Sequence, residues 1–227
     1  MKKLSKAKRR RIMKVCGTAV VVIVIMTAVF MIWKSHFQSS GNDNTTDINY
    51  EKYMVPRPVI RKKLLSINKN SRPGIKLRRI KGIVIHYTAN PGTDAMANRN
   101  YFEGRKNEPD SVSNKVSSHF IIGLDGQIVQ CIPLNEIAYA SNDRNSDTIS
   151  IECCHPDSSG KFSKETYSSL IKLAGWLCSK YEVDDSGIIR HYDITGKLCP
   201  LYYVKNEDKW KRLKQQIRTY IMRYKKG

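Results

Sequence analysis

Histidine is scarce in this chain, and two of its five copies occupy similar positions. His86 ends the apolar run in IVIHYT, His191 ends that in IIRHYD, and Cys199 follows His191 by eight residues. Two imidazoles and a thiolate form a suitable zinc ligand set that leaves the fourth tetrahedral position for water, as in catalytic sites. The sequence contains no CxxC pair, the pattern that would indicate a closed structural zinc site. The residue types alone leave an equal alternative, in which both histidines are core residues with satisfied hydrogen bonds.

Amide hydrolysis at such a centre requires a base and a cation, and the sequence offers a candidate for each. A carboxylate has to move a proton from water to the leaving nitrogen, and a positive group has to stabilise the oxyanion. Glu152 is a charged residue within the apolar strand ISIECC, where an unpaired carboxylate is costly. Lys197 lies two residues before Cys199. The simpler alternatives are an edge-facing glutamate in a half-exposed strand and a solvated loop lysine.

Short apolar runs rich in β-branched residues predict the strands that position these side chains. Buried strands are predicted at residues 82–88, 147–155 and 187–193. A hairpin is predicted at residues 119–133, because two apolar runs flank an Asp-Gly turn at 125–126. The hairpin indicates a mixed rather than a wholly parallel sheet.

Helical spacing of apolar residues predicts three helices. One covers residues 95–106 with Asp94 as its cap, and a second covers residues 164–181 after Ser163. A third, strongly basic helix is predicted at residues 208–226. Strands that alternate with helices predict an α/β domain in which helices flank a mixed central sheet.

Four segments, taken in order, resemble the N-acetylmuramoyl-L-alanine amidase type 2 family. They are IVIHYTANPGTDAMANRNYF, SSHFIIGLDGQIVQCIP, DTISIECC and RHYDITGKLCP, and the resemblance covers roughly residues 73–203. This family includes phage lysozyme-type amidases and is related to the peptidoglycan recognition proteins. One departure is Ser118, which stands where some relatives carry a catalytic tyrosine. The glutamate-using branch also lacks that tyrosine, so the catalytic assignment depends more heavily on Glu152.

The resemblance implies a fold, a cofactor and a reaction. The fold would be that of the amidases and peptidoglycan recognition proteins, with one zinc ion held by His86, His191 and Cys199. Glu152 would accept a proton from the water at the metal, and Lys197 would stabilise the tetrahedral state. The implied reaction is hydrolysis of the amide bond between N-acetylmuramic acid and the L-alanine of the stem peptide in peptidoglycan.

Other residues near the motifs carry further hypotheses. His119 is a candidate substrate contact, because the corresponding residue of this family lies near the site without binding the metal. Asp193 either orients a metal ligand or caps the turn before TGK. Cys131, Cys153 and Cys178 lie in apolar patterns, which predicts that they are small buried hydrophobes.

Two other kinds of protein are alternatives to a cell-wall enzyme of the host. Binding modules of this fold keep the groove, lose the metal and recognise muropeptides. They typically lack the cysteine ligand, so Cys199 favours an enzyme. Phage lysins are usually soluble, and a membrane anchor would favour a host enzyme, although a prophage origin stays open.

The N-terminal segments predict the location of the protein. Residues 1–14 are basic, and residues 15–33 form an uncharged run close to the length that spans a bilayer. A cleaved signal peptide is the rival interpretation, but its apolar stretch is usually shorter. We expect a single-pass protein of the cell membrane with residues 1–14 in the cytoplasm. Residues 34–55 would be a linker, and residues 56–204 an extracytoplasmic zinc amidase domain.

The formal net charge of +20 implies anionic partners, and the basic helix within residues 205–227 concentrates that charge. Outside a bacterial cell the available anions are wall polymers and lipid headgroups, whereas nucleic acid is excluded by topology. The alternative is an ordinary solvated helix that packs an apolar face inward. The two interpretations are compatible, because one face of the helix can pack against the domain while the other face stays charged.

Overall fold

The computed structural model describes residues 52–226. The predicted cytoplasmic segment, the predicted anchor and nearly all of the predicted linker lie outside this range. Within it, no helix combines the length and the apolar character needed to cross a bilayer. The membrane anchor at residues 15–33 therefore stays a prediction.

A six-stranded sheet forms the centre of residues 52–226. Its strands are β1 (Arg61–Lys62), β2 (Gly82–Tyr87), β3 (Phe120–Ile122), β4 (Ile128–Gln130), β5 (Thr148–Cys153) and β6 (Ile188–Arg190). Their order in the sheet is β1-β4-β3-β5-β2-β6. β3 and β4 pair antiparallel, and the other neighbours pair parallel. The predicted mixed sheet and hairpin are confirmed, and Gly126 in the turn has a φ of 82°, which glycine adopts without strain.

The first two helices begin at the capping residues that the sequence predicts. α1 spans Ala95–Gly104, and Asp94 Oδ1 accepts a hydrogen bond from an amide of its first turn at 2.6 Å. α2 spans Lys164–Tyr181, and Ser163 Oγ accepts one at 3.0 Å. Each cap satisfies a backbone N–H that has no partner within the helix.

Three further helices follow β6. They are α3 (His191–Thr195), α4 (Leu201–Lys205) and α5 (Glu207–Met222). His191 is therefore the first residue of a short helix and not the last residue of a strand.

Helices cover both faces of the sheet. Ile85 and Ile151 of the sheet share one apolar core with Leu173 of α2 and Leu213 of α5. A smaller core on the other face contains Phe102 of α1. The apolar side of the basic helix α5 belongs to the main core, with these buried residues: Trp210, Leu213, Ile217 and Ile221.

The five cysteines within residues 52–226 are buried and form no disulfide. Cys153 and Cys178 belong to the main core, and Cys131 belongs to the smaller one. The prediction that these three act as small buried hydrophobes is confirmed.

Candidate active site

A groove of 540 Å³ opens at the carboxyl ends of β2 and β5. It lies on the face of the sheet that α1 covers, and α1 lines it with Asn98, Tyr101 and Phe102. Two loop segments, within residues 112–117 and 139–145, also contribute side chains to its walls. His86, Glu152, His191, Lys197 and Cys199 all line this groove.

Strand pairing places His86 next to Glu152. The two residues are register partners in the parallel pair β2–β5. Successive side chains of a strand point to opposite faces, and Ile85 and Ile151 belong to the main core. His86 and Glu152 therefore both project toward the α1 side, where His86 Nδ1 lies 4.0 Å from Glu152 Oε1.

The fold brings the three predicted metal ligands together. The rings of His86 and His191 have centroids 4.8 Å apart, and Cys199 Sγ lies 3.8 Å from His86 Nδ1. One donor atom from each of the three buried residues lies within 4.8 Å of the other two. Zinc–nitrogen and zinc–sulfur distances place tetrahedral ligand atoms about 3.5 Å apart, so small side-chain rotations suffice for a shared ion.

Two residues of the 139–145 loop orient the imidazoles. Ser141 Oγ lies 3.4 Å from His86 Nε2, and Asn142 Oδ1 accepts a hydrogen bond from His191 Nε2 at 3.0 Å. With an oxygen at each Nε2, the Nδ1 lone pairs are available to a metal. Asn142 has a φ of 50°, a left-handed conformation that asparagine tolerates better than most residues.

The chain between His191 and Cys199 folds back on itself. α3 ends at Thr195, and the capping residue Gly196, with a φ of 75°, reverses the direction of the chain. Tyr192 N then donates a hydrogen bond to Cys199 O at 2.9 Å, which holds the thiol beside His191. Lys197 lies on this return segment with its side chain lining the groove.

Glu152 is a buried carboxyl group with an unsatisfied oxygen. Its Oε2 has no hydrogen-bond partner within residues 52–226. Burial raises the pKa of Glu152 to about 8, and the positive charge of Lys197 opposes that shift. A buried carboxylate is stable when a cation lies beside it.

The protonation states of the other groups suit a metal. Burial lowers the pKa of His86, with further lowering by His191 and Lys197, and burial likewise lowers the pKa of His191. Both imidazoles are therefore neutral and keep a lone pair. Burial raises the pKa of the Cys199 thiol to about 12, so the thiolate requires a cation to form at neutral pH. The donor set and the unsatisfied oxygen of Glu152 fit a zinc ion.

His119 does not lie in the groove, so the structure does not support the predicted substrate contact. Its Nδ1 accepts a hydrogen bond from Ser150 N at 3.1 Å, and its Nε2 donates one to Glu136 O at 2.9 Å. The side chain is buried, and both ring nitrogens are already bonded within the protein.

Asp193 caps the start of α3. Its Oδ2 accepts a hydrogen bond from Arg190 N at 2.8 Å, and its Oδ1 accepts one from Arg190 Nη2 at 2.8 Å. This arrangement corresponds to the second of the two predicted roles. Asp193 holds His191 through the backbone of the helix that begins there.

Several residues of the site could not be predicted from the sequence. Ser141 and Asn142 belong to the segment SNDRN, whose composition indicates a turn but not a contact with either histidine. Tyr101 of α1 lines the open groove and is 55% exposed. Tyr139 of the opposite wall has no sequence signal.

Known proteins share this sequence pattern. A family model described as N-acetylmuramoyl-L-alanine amidase matches residues 76–201. The N-acetylmuramoyl-L-alanine amidase CwlL of Bacillus licheniformis is 33% identical over 170 residues, which is 69% of this chain and 46% of that protein. The amidase BlyA of Bacillus subtilis (strain 168) is 32% identical over 176 residues, covering 68% and 46% of the two chains. This chain spans about half the length of the curated relatives that it matches.

Solved structures share the fold. PlyL superposes with a TM-score of 0.59 at 27% identity, covering 70% of this chain and 97% of that one. A mutant endolysin from Bacillus subtilis gives a TM-score of 0.58 at 30% identity, covering 70% and 98%. The matched family segment contains every candidate metal ligand and catalytic residue and makes up more than half of the 227 residues. The chain therefore belongs to the N-acetylmuramoyl-L-alanine amidase family.

Proposed function

We propose that this chain is a zinc-dependent peptidoglycan hydrolase that cleaves the amide bond between N-acetylmuramic acid and L-alanine. The observation that carries the proposal is the convergence of His86, His191 and Cys199 beside the unsatisfied carboxyl group of Glu152. A zinc ion held by these three residues would act as a Lewis acid and lower the pKa of a bound water.

Glu152 moves the proton in this proposal. Its carboxylate takes a proton from the attacking water and delivers it to the amide nitrogen of L-alanine as the C–N bond breaks. The position suits this role, because Glu152 Oε2 has no competing partner within residues 52–226 and Oε1 lies 4.0 Å from the ligand His86.

Lys197 stabilises negative charge. The carbonyl carbon becomes tetrahedral when water adds, and its oxygen becomes negative. Lys197 lines the groove two residues from the ligand Cys199 and makes an ion pair with no carboxylate of residues 52–226. Its ammonium group is therefore available to the oxygen of the substrate.

The groove walls supply contacts for the rest of the substrate. Tyr101 and Val112 are exposed at its edge, and Lys115 lies over the ring of Tyr139 at 5.5 Å. Aromatic and apolar side chains pack against the apolar faces of sugar rings and peptide side chains, while a cation attracts carboxylates of the stem peptide. A cavity of 540 Å³ falls in the size range of ligand sites.

The bond that is cut identifies the reaction. We expect the purified chain to bind one zinc ion and to release stem peptides from peptidoglycan. The products should contain new L-alanine amino termini and no new reducing sugar ends. New reducing ends without new amino termini would indicate a glycosidase and would overturn the proposal.

The Glu152→Gln variant tests the proton transfer. The amide keeps the size of the side chain but cannot accept the proton, so we expect zinc to be retained and activity to fall by about 10²–10⁴-fold. Glu165→Gln, which changes an exposed carboxylate at the start of α2, is the matched control. Full activity of Glu152→Gln would remove Glu152 from the mechanism.

We also propose that residues 15–33 anchor the enzyme in the cell membrane, with the catalytic domain outside the cytoplasm. The uncharged run between basic segments supports this topology. A reporter enzyme that is active only outside the cytoplasm, fused after Gly227, should be active. An inactive reporter, together with a fluorescent cytoplasmic reporter at the same site, would contradict the topology.

A further inference from the structure

A second groove lies between α2 and α5, on the face of the sheet opposite the active site. It consists of two adjoining cavities of 580 Å³ and 620 Å³. Lys164 and Tyr167 of α2 and Arg212 and Gln216 of α5 line both cavities, so the two form one continuous depression. We call this depression the helical groove.

The helical groove is strongly cationic. Asp157 is the single carboxylate among the described residues that line it, whereas six lining residues are basic: Lys161, Lys164, Lys172, Lys209, Arg212 and Arg223. Lys209 is paired with Asp208 at 2.9 Å. Lys164, Lys172, Arg212 and Arg223 make no ion pair with any carboxylate of residues 52–226.

This arrangement of charge is unfavourable in the free protein. Lys164 is the first residue of α2, where the positive end of the helix dipole disfavours a cation. Arg212 contributes a like charge from the opposite wall of the same cavities. A bound polyanion would relieve both repulsions, which explains why the cations are arranged along a concave surface.

The shape of the groove favours a linear polymer over a membrane. Lys209 of α5 and Arg223, which caps the end of α5 in helical backbone conformation, lie 14 residues apart, a distance of about 21 Å that accommodates several repeats of a chain. A flat bilayer cannot follow a concave surface. Within Glu207–Met222, Met222 is the one large apolar side chain that is exposed, so α5 lacks the apolar face that inserts into lipid.

The tyrosines of the groove favour a polymer without bases. Lys161 lies over the ring of Tyr202 at 5.9 Å, and the rings of Tyr202 and Tyr203 pack edge to face. Tyr167 donates a hydrogen bond to Gln216 at 2.6 Å, and Tyr220 packs edge-on against Tyr224. These rings are engaged within the protein, unlike the open stacking platforms that bind single-stranded nucleic acid.

We propose that the helical groove binds a linear wall polymer that carries a phosphate in each repeat, of the poly(glycerol phosphate) class. Bound there, the polymer would hold the domain at the wall while the active-site groove on the opposite face stays open to peptidoglycan. The biological setting rests on the proposed extracytoplasmic location, but the binding itself does not require amide hydrolysis.

Charge-matched variants of the full chain test the proposal. Lys164→Gln/Arg212→Gln removes two charges from the groove, and Lys172→Gln/Arg223→Gln is an independent second pair. Lys62→Gln/Lys211→Gln removes two charges from outside the lining and is the control.

Poly(glycerol phosphate) binding is measured by calorimetry at physiological ionic strength, with each variant shown to be folded by circular dichroism. The groove pairs should each weaken binding about tenfold, since each pair removes two of the charges that attract the phosphates.

Measurements with one more variant and with other ligands also support or overturn the proposal. The Glu152→Gln variant should bind poly(glycerol phosphate) as tightly as the unmodified chain, which separates this site from the catalytic proposal. Equal weakening by the control pair would show general charge attraction and overturn the groove site. If phosphatidylglycerol vesicles or a single-stranded oligonucleotide bind more tightly than poly(glycerol phosphate), the ligand of the groove is a membrane or a nucleic acid, and the proposal is overturned. No binding of poly(glycerol phosphate) to the unmodified chain would also overturn it.

Discussion

His86 and His119 occupy similar surroundings, but their ring nitrogens have different partners. Each is buried, each precedes an aromatic residue in the sequence, and each lies beside β5. His86 pairs in register with Glu152, whereas His119 contacts Ser150, two residues earlier on that strand. In the region of His119, fixed backbone groups satisfy both ring nitrogens. In the region of His86, the neighbours of Nδ1 within residues 52–226 are the thiol of Cys199 at 3.8 Å and the carboxyl group of Glu152 at 4.0 Å.

The difference gives a criterion by which the proposed ligand His86 is distinguished from the core histidine His119. Burial and strand position do not separate the two residues, because they share both. The partners of the ring nitrogens do separate them. A nitrogen that meets only groups able to bind the same metal indicates a ligand.

The largest expected effect comes from replacing each histidine by asparagine. His86→Asn removes a ligand, so we expect loss of bound zinc and at least about a 10³-fold loss of amidase activity. His119→Asn should retain one zinc ion, with activity within about threefold of the unmodified chain when it is assayed at a temperature where the variant is folded. Zinc content and initial rates are measured on the same samples. Loss of zinc from folded His119→Asn would end the distinction between the two sites.

In the zinc-free protein, His119→Asn should lower the free energy of unfolding more than His86→Asn does. His119→Asn leaves Ser150 N–H or Glu136 C=O without a partner in the interior, which costs about 1–3 kcal/mol of unfolding free energy per group. His86→Asn should cost less, because its Nδ1 makes no backbone hydrogen bond that would be lost. Urea unfolding in the presence of a chelator measures both. A larger cost for His86→Asn would contradict this assignment.

The pH dependence of stability sharpens the same contrast. Burial lowers the pKa of His119 from 6.5 to about 4, although the hydrogen bond to Glu136 O opposes the shift. Between these values the unfolded chain binds a proton that the folded chain does not. The contribution of His119 is therefore complete above pH 6.5 and is lost as the pH falls toward 4, on the order of 3 kcal/mol.

The measurement is the difference between the unmodified chain and His119→Asn, each unfolded in urea from pH 7 to pH 4 without zinc. His86 and His191 also have lowered pKa values, but they are present in both proteins and cancel in the difference. A difference that does not change with pH would show that His119 does not titrate in this way.

The smallest expected effect belongs to the residue that orients His191. Asn142→Ala removes the acceptor of the Nε2 hydrogen bond, so we expect zinc affinity to fall about 10–100-fold while the fold is kept. Asn145→Ala is not a suitable control, because its Oδ1 accepts hydrogen bonds from Ala140 N and Ser141 N. Asn114→Ala, away from the ligands, serves instead. Competition with a zinc chelator measures the affinities, and equal affinities for Asn142→Ala and Asn114→Ala would remove Asn142 from the site.

The sequence by itself determined where most of the elements lie and which residues could carry the proposed chemistry. Asp94 and Ser163 mark the starts of α1 and α2, because a side-chain oxygen satisfies a free amide locally. In β5, Thr148, Ser150 and Glu152 alternate with Ile149 and Ile151, which indicates which side chains point away from the main core. The spacing from His191 to Cys199 is local as well, so the resemblance to the amidases was enough to imply the proposed ligand set.

Only the tertiary structure decided which side chains meet. His119 and His86 look alike in sequence, and they are distinguished by partners that lie 31 and 113 residues away, Ser150 and Cys199. Ser141 and Asn142 reach the imidazoles through the path of a loop that local composition does not specify. The helical groove likewise exists because α2 and α5 pack side by side on the sheet, which sets two separate rows of cations along one depression. Contacts of this kind depend on the packing of distant segments, and no local pattern encodes them.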